Sequence, residues 1–224
     1  MQVEGGDPAR VLRTPRAAGV AGVVFALLLA AVIVLVRLAL PGQANGAAAA
    51  VADPSRRDAL QTALALVPFG GVFFLWFMGA VRDYVGARED RFFATLFLGS
   101  GLLFVAMLFA LAASAEGLVG PAGASQLAAT PQGWEAGRHF TYTVLLSYGM
   151  RMAAVFTLST TSIGRGLGLF PRWLGWLGFL VALVLLFVVT SVPWSELVFP
   201  AWVLVVSGRV FWSSFRGPQV PNAA

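Results

Sequence analysis

Residues 17–40 read AAGVAGVVFALLLAAVIVLVRLAL, and this stretch decides the fold class of the chain. It carries a single charged side chain, Arg37, close to its end. A helix rises about 1.5 Å per residue, so the stretch is long enough to cross a hydrocarbon core about 30 Å thick. It also exceeds the apolar region of a secretory signal peptide, which is about 7–15 residues long. The stretch therefore predicts an uncleaved transmembrane helix.

The rest of the chain continues this pattern. Of its 224 residues, 58% are hydrophobic and 11% are charged, whereas a soluble domain has about 45–50% and 25%. We predict an all-α polytopic membrane protein, a bundle of about six transmembrane helices over residues 17–215, which has the lipid bilayer as its partner. A disordered cytoplasmic arm (1–16) and a cytoplasmic tail (216–224) flank it. The predicted spans are 17–40, 60–81, 92–113, 140–162, 173–192 and 197–215.

Arginine sets the expected orientation, since the chain contains no lysine. With the amino terminus inside, the inner segments hold ten arginines and the outer segments three. Such an excess favours a topology in which both termini are cytoplasmic. Because the arginines flank apolar stretches, the net charge of +5 indicates topology and not a nucleic-acid partner. The arginine bias with abundant alanine, glycine and valine is typical of a GC-rich bacterial genome, which places the protein in a bacterial inner membrane.

Composition also limits the chemistry. The chain has no cysteine and one histidine, His139. These counts exclude disulfides, thiolate catalysis and bis-histidine haem within a single chain. No catalytic, metal or cofactor residue is predicted, and a non-enzymatic function is favoured over an enzymatic one.

Span four is unusually polar and contains the one charge near the middle of a predicted span, Arg151. We predict that Ser147, Tyr148 and Ser159 accompany Arg151, and that the many hydroxyls make this helix the central one inside the bundle. Two interpretations of Arg151 remain open. It could bond backbone carbonyls that Pro68 frees in span two, or it could bind an anionic group of a substrate, lipid or ion.

Span three carries small residues along one face, which permits close contact with another helix. Packing within the bundle is favoured over dimerisation. The residues of this small-residue face are Thr95, Gly99, Ala106, Ala110 and Ala113.

Residues 79–88, GAVRDYVGAR, resemble the G-x-L-x-D-x-x-G-R-R loop that follows the second span of major facilitator transporters. In that family the loop forms a charge-linked hinge at the cytoplasmic face. The resemblance implies this role for Gly79, Asp83, Gly86 and Arg88, while Ala87 departs from a basic position. The alternative function is therefore a transporter or half-transporter for an anionic or amphipathic solute, with Arg151 in a polar cavity.

The chain as a whole resembles six-pass integral membrane proteins of actinobacterial type, a group without an assigned activity. The resemblance rests on Trp76–Gly79, on Glu89–Thr95 and on Met150-Arg151-Met152. It implies the fold more than an activity. The favoured function is that of an accessory or scaffold subunit, or of a small-molecule or lipid binder. Its protein partner would be a second copy of the chain or another membrane protein.

Overall fold

The computed structural model describes residues 14–40, 54–85, 91–119 and 130–213. Within these ranges the chain is helical and contains no strand, which confirms the all-α class. The first helix already begins at Thr14, inside the predicted arm. The remainder of that arm and the tail at 216–224 lie outside the described residues.

The helices mostly extend beyond the predicted spans. We label them α1 to α6 in chain order. α4 is one continuous run with a π-helical segment in its middle, and α5 ends in a π-helical turn. The elements are α1 (Thr14–Ala39), α2 (Pro54–Val85), α3 (Arg91–Val119), α4 (Pro131–Tyr142, π-helical Thr143–Gly149, Met150–Gly166), α5 (Arg172–Leu183, π-helical Val184–Val188), a 3₁₀ turn (Ser195–Leu197) and α6 (Val198–Ser213).

Four helical stretches are long and apolar enough to cross a membrane. They are Gly19–Ala39, Pro54–Asp83, Arg91–Leu118 and Ser195–Trp212, and they coincide with predicted spans one, two, three and six. The apolar run Arg172–Val188 in α5 is shorter. α4 does not belong to this set, because hydroxyl side chains and Arg151 reduce its hydropathy.

The start of α4 follows from local chemistry. Thr130 has an extended backbone and its side chain accepts a hydrogen bond from the Gly133 amide at 3.1 Å. Pro131 occupies the first turn, where its missing N–H costs nothing. The pair Thr130-Pro131 thus begins the helix as its sequence predicts.

The helices form a ring in chain order. α1 packs mainly against α2 and α6, α3 lies between α2 and α4, and α5 lies between α4 and α6. α4 is therefore one wall of the bundle and not its central helix. We call the end where α1 begins the amino-terminal end and the end where α1 finishes the far end.

Aromatic rings fill the middle of the ring. Five phenylalanines from five helices are fully buried, and their ring centroids lie 4.6–6.5 Å apart. Tilted and edge-to-face pairs of this kind add about 0.5–1.5 kcal/mol each beyond their buried area. We call this set the aromatic core: Phe25, Phe74, Phe104, Phe156 and Phe199.

Candidate functional site

Arg151 contacts its own helix. Its Nη1 donates a hydrogen bond to the carbonyl of Ser147, one turn earlier in α4. The expected bond to the Leu64 carbonyl that Pro68 frees is absent between these described residues. Arg151 is half-buried and forms no ion pair with a carboxylate of the described chain. The structure thus brings Arg151 and Ser147 together.

The other two predicted site residues point to different surroundings. Tyr148 is 59% exposed on the outside of the bundle. Ser159 is buried, and its hydroxyl donates to the Phe156 carbonyl at 3.0 Å. The four residues proposed from the sequence therefore do not converge on one cavity.

Five of the ten hydroxyl-bearing residues of α4 are buried inside the bundle. Four of these five donate to a carbonyl of the preceding turn, and the Thr161 hydroxyl has no hydrogen-bond partner in the described chain. A hydroxyl bonded within its own helix needs no partner across the bundle. The buried residues are Thr141, Thr157, Ser159, Thr160 and Thr161.

The predicted hinge is only partly described. Gly79 and Asp83 are exposed residues of α2, which continues as a helix to Val85. Gly86 and Arg88 lie outside the described residues. The hinge role implied by the transporter loop stays a prediction.

The small-residue face of α3 lies on the outside of the bundle. Thr95, Gly99, Ala106 and Ala113 are exposed, and Ala110 is half-buried. A Cβ added at Gly99 would meet no atom within 4 Å. The expectation that this face packs inside the bundle was wrong, since the buried side of α3 is formed by larger side chains such as Phe97 and Phe104.

An ion pair at the far end was missed in the sequence. Arg37 Nε donates to Glu196 Oε1 at 2.5 Å, which joins α1 to the turn before α6. The side chain of Glu196 has no exposed surface and that of Arg37 is 18% exposed. Arg37 therefore has its charged partner within the bundle. The sequence places Glu196 one residue before predicted span six, at the end where span one finishes, but does not show that the two side chains pair.

Two aromatic rings complete this far-end cluster. The Arg37 guanidinium lies 5.5 Å from the Tyr142 ring centre and 5.8 Å from that of Trp194. The Tyr142 hydroxyl donates to the Leu40 carbonyl at 2.8 Å. Trp194 has a left-handed backbone with φ 68°, which is unusual for a bulky residue. The cluster ties α1, α4 and α6 together.

A second ion pair lies on the first turns of α4. Arg138 donates to Glu135 with Nε at 3.0 Å and with Nη2 at 2.5 Å. These hydrogen bonds hold the pKa of Glu135 below its usual value and raise that of Arg138. His139 is exposed beside them. No group of three potential metal ligands occurs in the described parts of the chain.

A narrow cavity enters the bundle at the amino-terminal end. Its volume is about 30 Å³ and its walls are almost entirely apolar. α2, α3, α4 and α6 supply the walls, together with the turn between α4 and α5. Among the lining residues are Val85, Phe97, Ile163, Phe170, Val206 and Val210. No local pattern in the sequence indicates this cavity, because its walls come from five separate parts of the chain.

Two residues set the properties of this cavity. Arg82 is exposed and is the one charged lining residue. Phe170 lies on the α4–α5 turn, and a Cβ added at Gly164 would lie 2.6 Å from its Cε2. The amides of Leu169 and Phe170 both donate to the Gly164 carbonyl, at 2.9 and 3.0 Å. Glycine at 164 thus allows the Phe170 ring to close one side of the cavity.

No family model, no curated protein and no solved structure matches the chain.

Proposed function

We propose that this chain is a six-span integral membrane protein of a bacterial inner membrane, with both termini in the cytoplasm. Four apolar helices that are long enough to cross a membrane support this topology. The ring order of the helices supports it as well, because consecutive helices begin at opposite ends of the ring. α4 and α5 would be the remaining two spans. The excess of arginine at the amino-terminal end sets the orientation.

The orientation is testable with reporters. A reporter fused after Ala224 and one inserted between residues 115 and 130 should respond on opposite sides of the membrane. Alkaline phosphatase and a fluorescent protein at each position provide the two complementary readouts. Signals on the same side would contradict six spans.

Within this topology we propose that the protein acts by binding an apolar or amphipathic membrane component in the amino-terminal cavity. The observation that carries this proposal is the cavity itself, an apolar pocket inside the helix ring with an arginine among its lining residues. Ligand sites in proteins are concave and mainly apolar, and this cavity has almost entirely apolar walls. The aromatic core favours binding over transport, since rings occupy the middle of the bundle where a solute would have to pass.

Photolabelling tests the binding. Purified protein in detergent is irradiated with hexadecanol carrying a chain diazirine, and labelled peptides are mapped by mass spectrometry. Labels on α2, α4 and α6 near the cavity are expected. Val210→Phe places a larger side chain in the cavity and should reduce labelling severalfold.

Val205→Phe is the matched control. Val205 lies on the same helix but is 39% exposed on the outer surface, so labelling should not change. Thermal unfolding of both variants checks that they remain folded. Equal labelling of the wild type and Val210→Phe would refute binding in the cavity. Stable co-purification with a larger membrane complex, without labelling of the cavity, would instead support an accessory subunit.

A further inference from the structure

We infer that the ligand of the amino-terminal cavity is an amphiphile with one apolar chain and an anionic oxygen headgroup. The headgroup binds Arg82, and the chain displaces the side chain of Phe170. This inference rests on the proposed binding function. Beyond that function, it specifies the charge of the ligand's headgroup, the number of its apolar chains and the protein side chain that moves when it binds.

The charge distribution at this end supports an anionic headgroup. Arg82 lines the cavity, is exposed and has no ion pair within the described ranges. Arg209 lies next to the lining residue Val210 on α6. Asp83 is the one acidic residue at this end of the described helices, and it is not a lining residue. A guanidinium here can pair with a carboxylate or phosphate without being desolvated itself.

The volume of the cavity supports a ligand with a single apolar chain. The cavity offers about 30 Å³ to a water-sized sphere. This is more than the roughly 10–15 Å³ that one buried water needs and far less than the roughly 300–1,000 Å³ of a pocket that encloses a whole ligand. It therefore accepts the end of one chain, and a second chain has no space between the helices. A longer part of the chain can enter only where a lining side chain moves.

Phe170 is the side chain placed to move. It belongs to the short turn between α4 and α5, whereas most of the other lining residues lie on helices. Its ring packs over Gly164 and is half-buried. Turns of this kind have a lower cost of local rearrangement than packed helices. Phe170→Ala should therefore enlarge the cavity and raise labelling about two- to fivefold.

The closing experiment compares two diazirine probes of equal chain length, palmitic acid and hexadecanol, at a pH where the acid is ionised. Palmitate should label the cavity more strongly than the alcohol. Arg82→Gln should reduce palmitate labelling about two- to fivefold, the size expected for a partly exposed ion pair. The same variant should leave hexadecanol labelling unchanged. Arg172→Gln, an exposed arginine at the same end that does not line the cavity, is the control.

The outcomes separate this inference from the proposed function. If neither probe labels the cavity, the proposed function fails. If both probes label it equally and Arg82→Gln has no effect, binding stands and the anionic headgroup is refuted. Competition by oleate but not by dioleoylphosphatidylglycerol supports one chain, and equal competition overturns it. Unchanged labelling in Phe170→Ala overturns the role of Phe170.

Discussion

Replacing Arg37 by methionine is expected to lower the free energy of unfolding by about 3–5 kcal/mol, because it leaves the Glu196 carboxylate buried without its partner. Glu196 has no exposed surface, and Oε1 accepts the hydrogen bond from Arg37. Its second oxygen, Oε2, already lacks a hydrogen-bond partner in the described chain. The carboxylate therefore depends on Arg37 for most of its stabilisation. Unfolding of the purified protein in one detergent, by heat and by sodium dodecyl sulfate, measures the loss.

Replacing the other member of the ion pair should lower the free energy of unfolding by less. Glu196→Met leaves an arginine that is 18% exposed and has a flexible stem, so it can extend to water and still lie against Tyr142 and Trp194. We expect a loss of about 1–3 kcal/mol. The double variant should recover much of the loss of Arg37→Met, since replacing a whole buried pair by apolar side chains is often close to neutral.

Arg138→Met is the matched control for this cycle. Its partner Glu135 is 45% exposed, and exposed pairs contribute about 0–1 kcal/mol. The role assigned to the ion pair would be refuted if Arg37→Met were no less stable than Glu196→Met. It would also be refuted if the double variant were as unstable as the worse single variant.

The apolar stretches were predictable because each carries its own signal. Residues 17–40 satisfy the length and hydropathy of a span without reference to any other part of the chain. Thr130-Pro131 likewise contains the whole information for a helix start. The far-end cluster is different, because Arg37 and Glu196 are far apart in sequence and their pairing depends on how α1 and α6 pack. A charge beside an apolar stretch is equally compatible with a headgroup contact.

The candidate site was also predictable only in part, because its contacts depend on how the helices fold and pack. Arg151 was found as an unusual charge, but its partner proved to be the local carbonyl of Ser147. The π-helical segment at Thr143–Gly149 has no sequence signature, and it changes which side chains of α4 share a face. The outward position of the α3 small-residue face could not be read from its pattern, since close helix contact within a bundle and between two bundles requires the same residues.

Substituting Gly178 by alanine is expected to destabilise the protein by about 1–3 kcal/mol, although alanine is the better helix former. A Cβ at Gly178 would overlap the Thr161 hydroxyl and lie 3.0 Å from Thr161 Cγ2 and 3.1 Å from its Cβ. Rotation of the threonine side chain does not remove both overlaps at once, because its hydroxyl and methyl groups are bonded to the same Cβ, which lies 3.1 Å from the added atom. The helices α4 and α5 must therefore separate.

Gly22 should behave in the same way at the contact of α1 with α6. Its added Cβ would overlap the hydroxyl of Ser207 and lie 2.7 Å from Cδ2 of Phe77. The serine can rotate, but the Phe77 ring is fully buried and has no free space to enter. Gly22→Ala should thus lose about 1–3 kcal/mol as well.

Two other glycines serve as controls, because alanine at these positions should change the stability in the opposite direction. Gly79 and Gly208 are exposed helical residues, and an added Cβ would meet nothing within 4 Å. Alanine at either position should raise stability by up to about 1 kcal/mol, because glycine loses more backbone entropy on folding. Thr161→Ala combined with Gly178→Ala should recover most of the loss, since it removes the overlapping hydroxyl and methyl groups. If all four alanine variants raised stability, close packing at Gly22 and Gly178 would not be what holds these helices together, and helix propensity would explain the series.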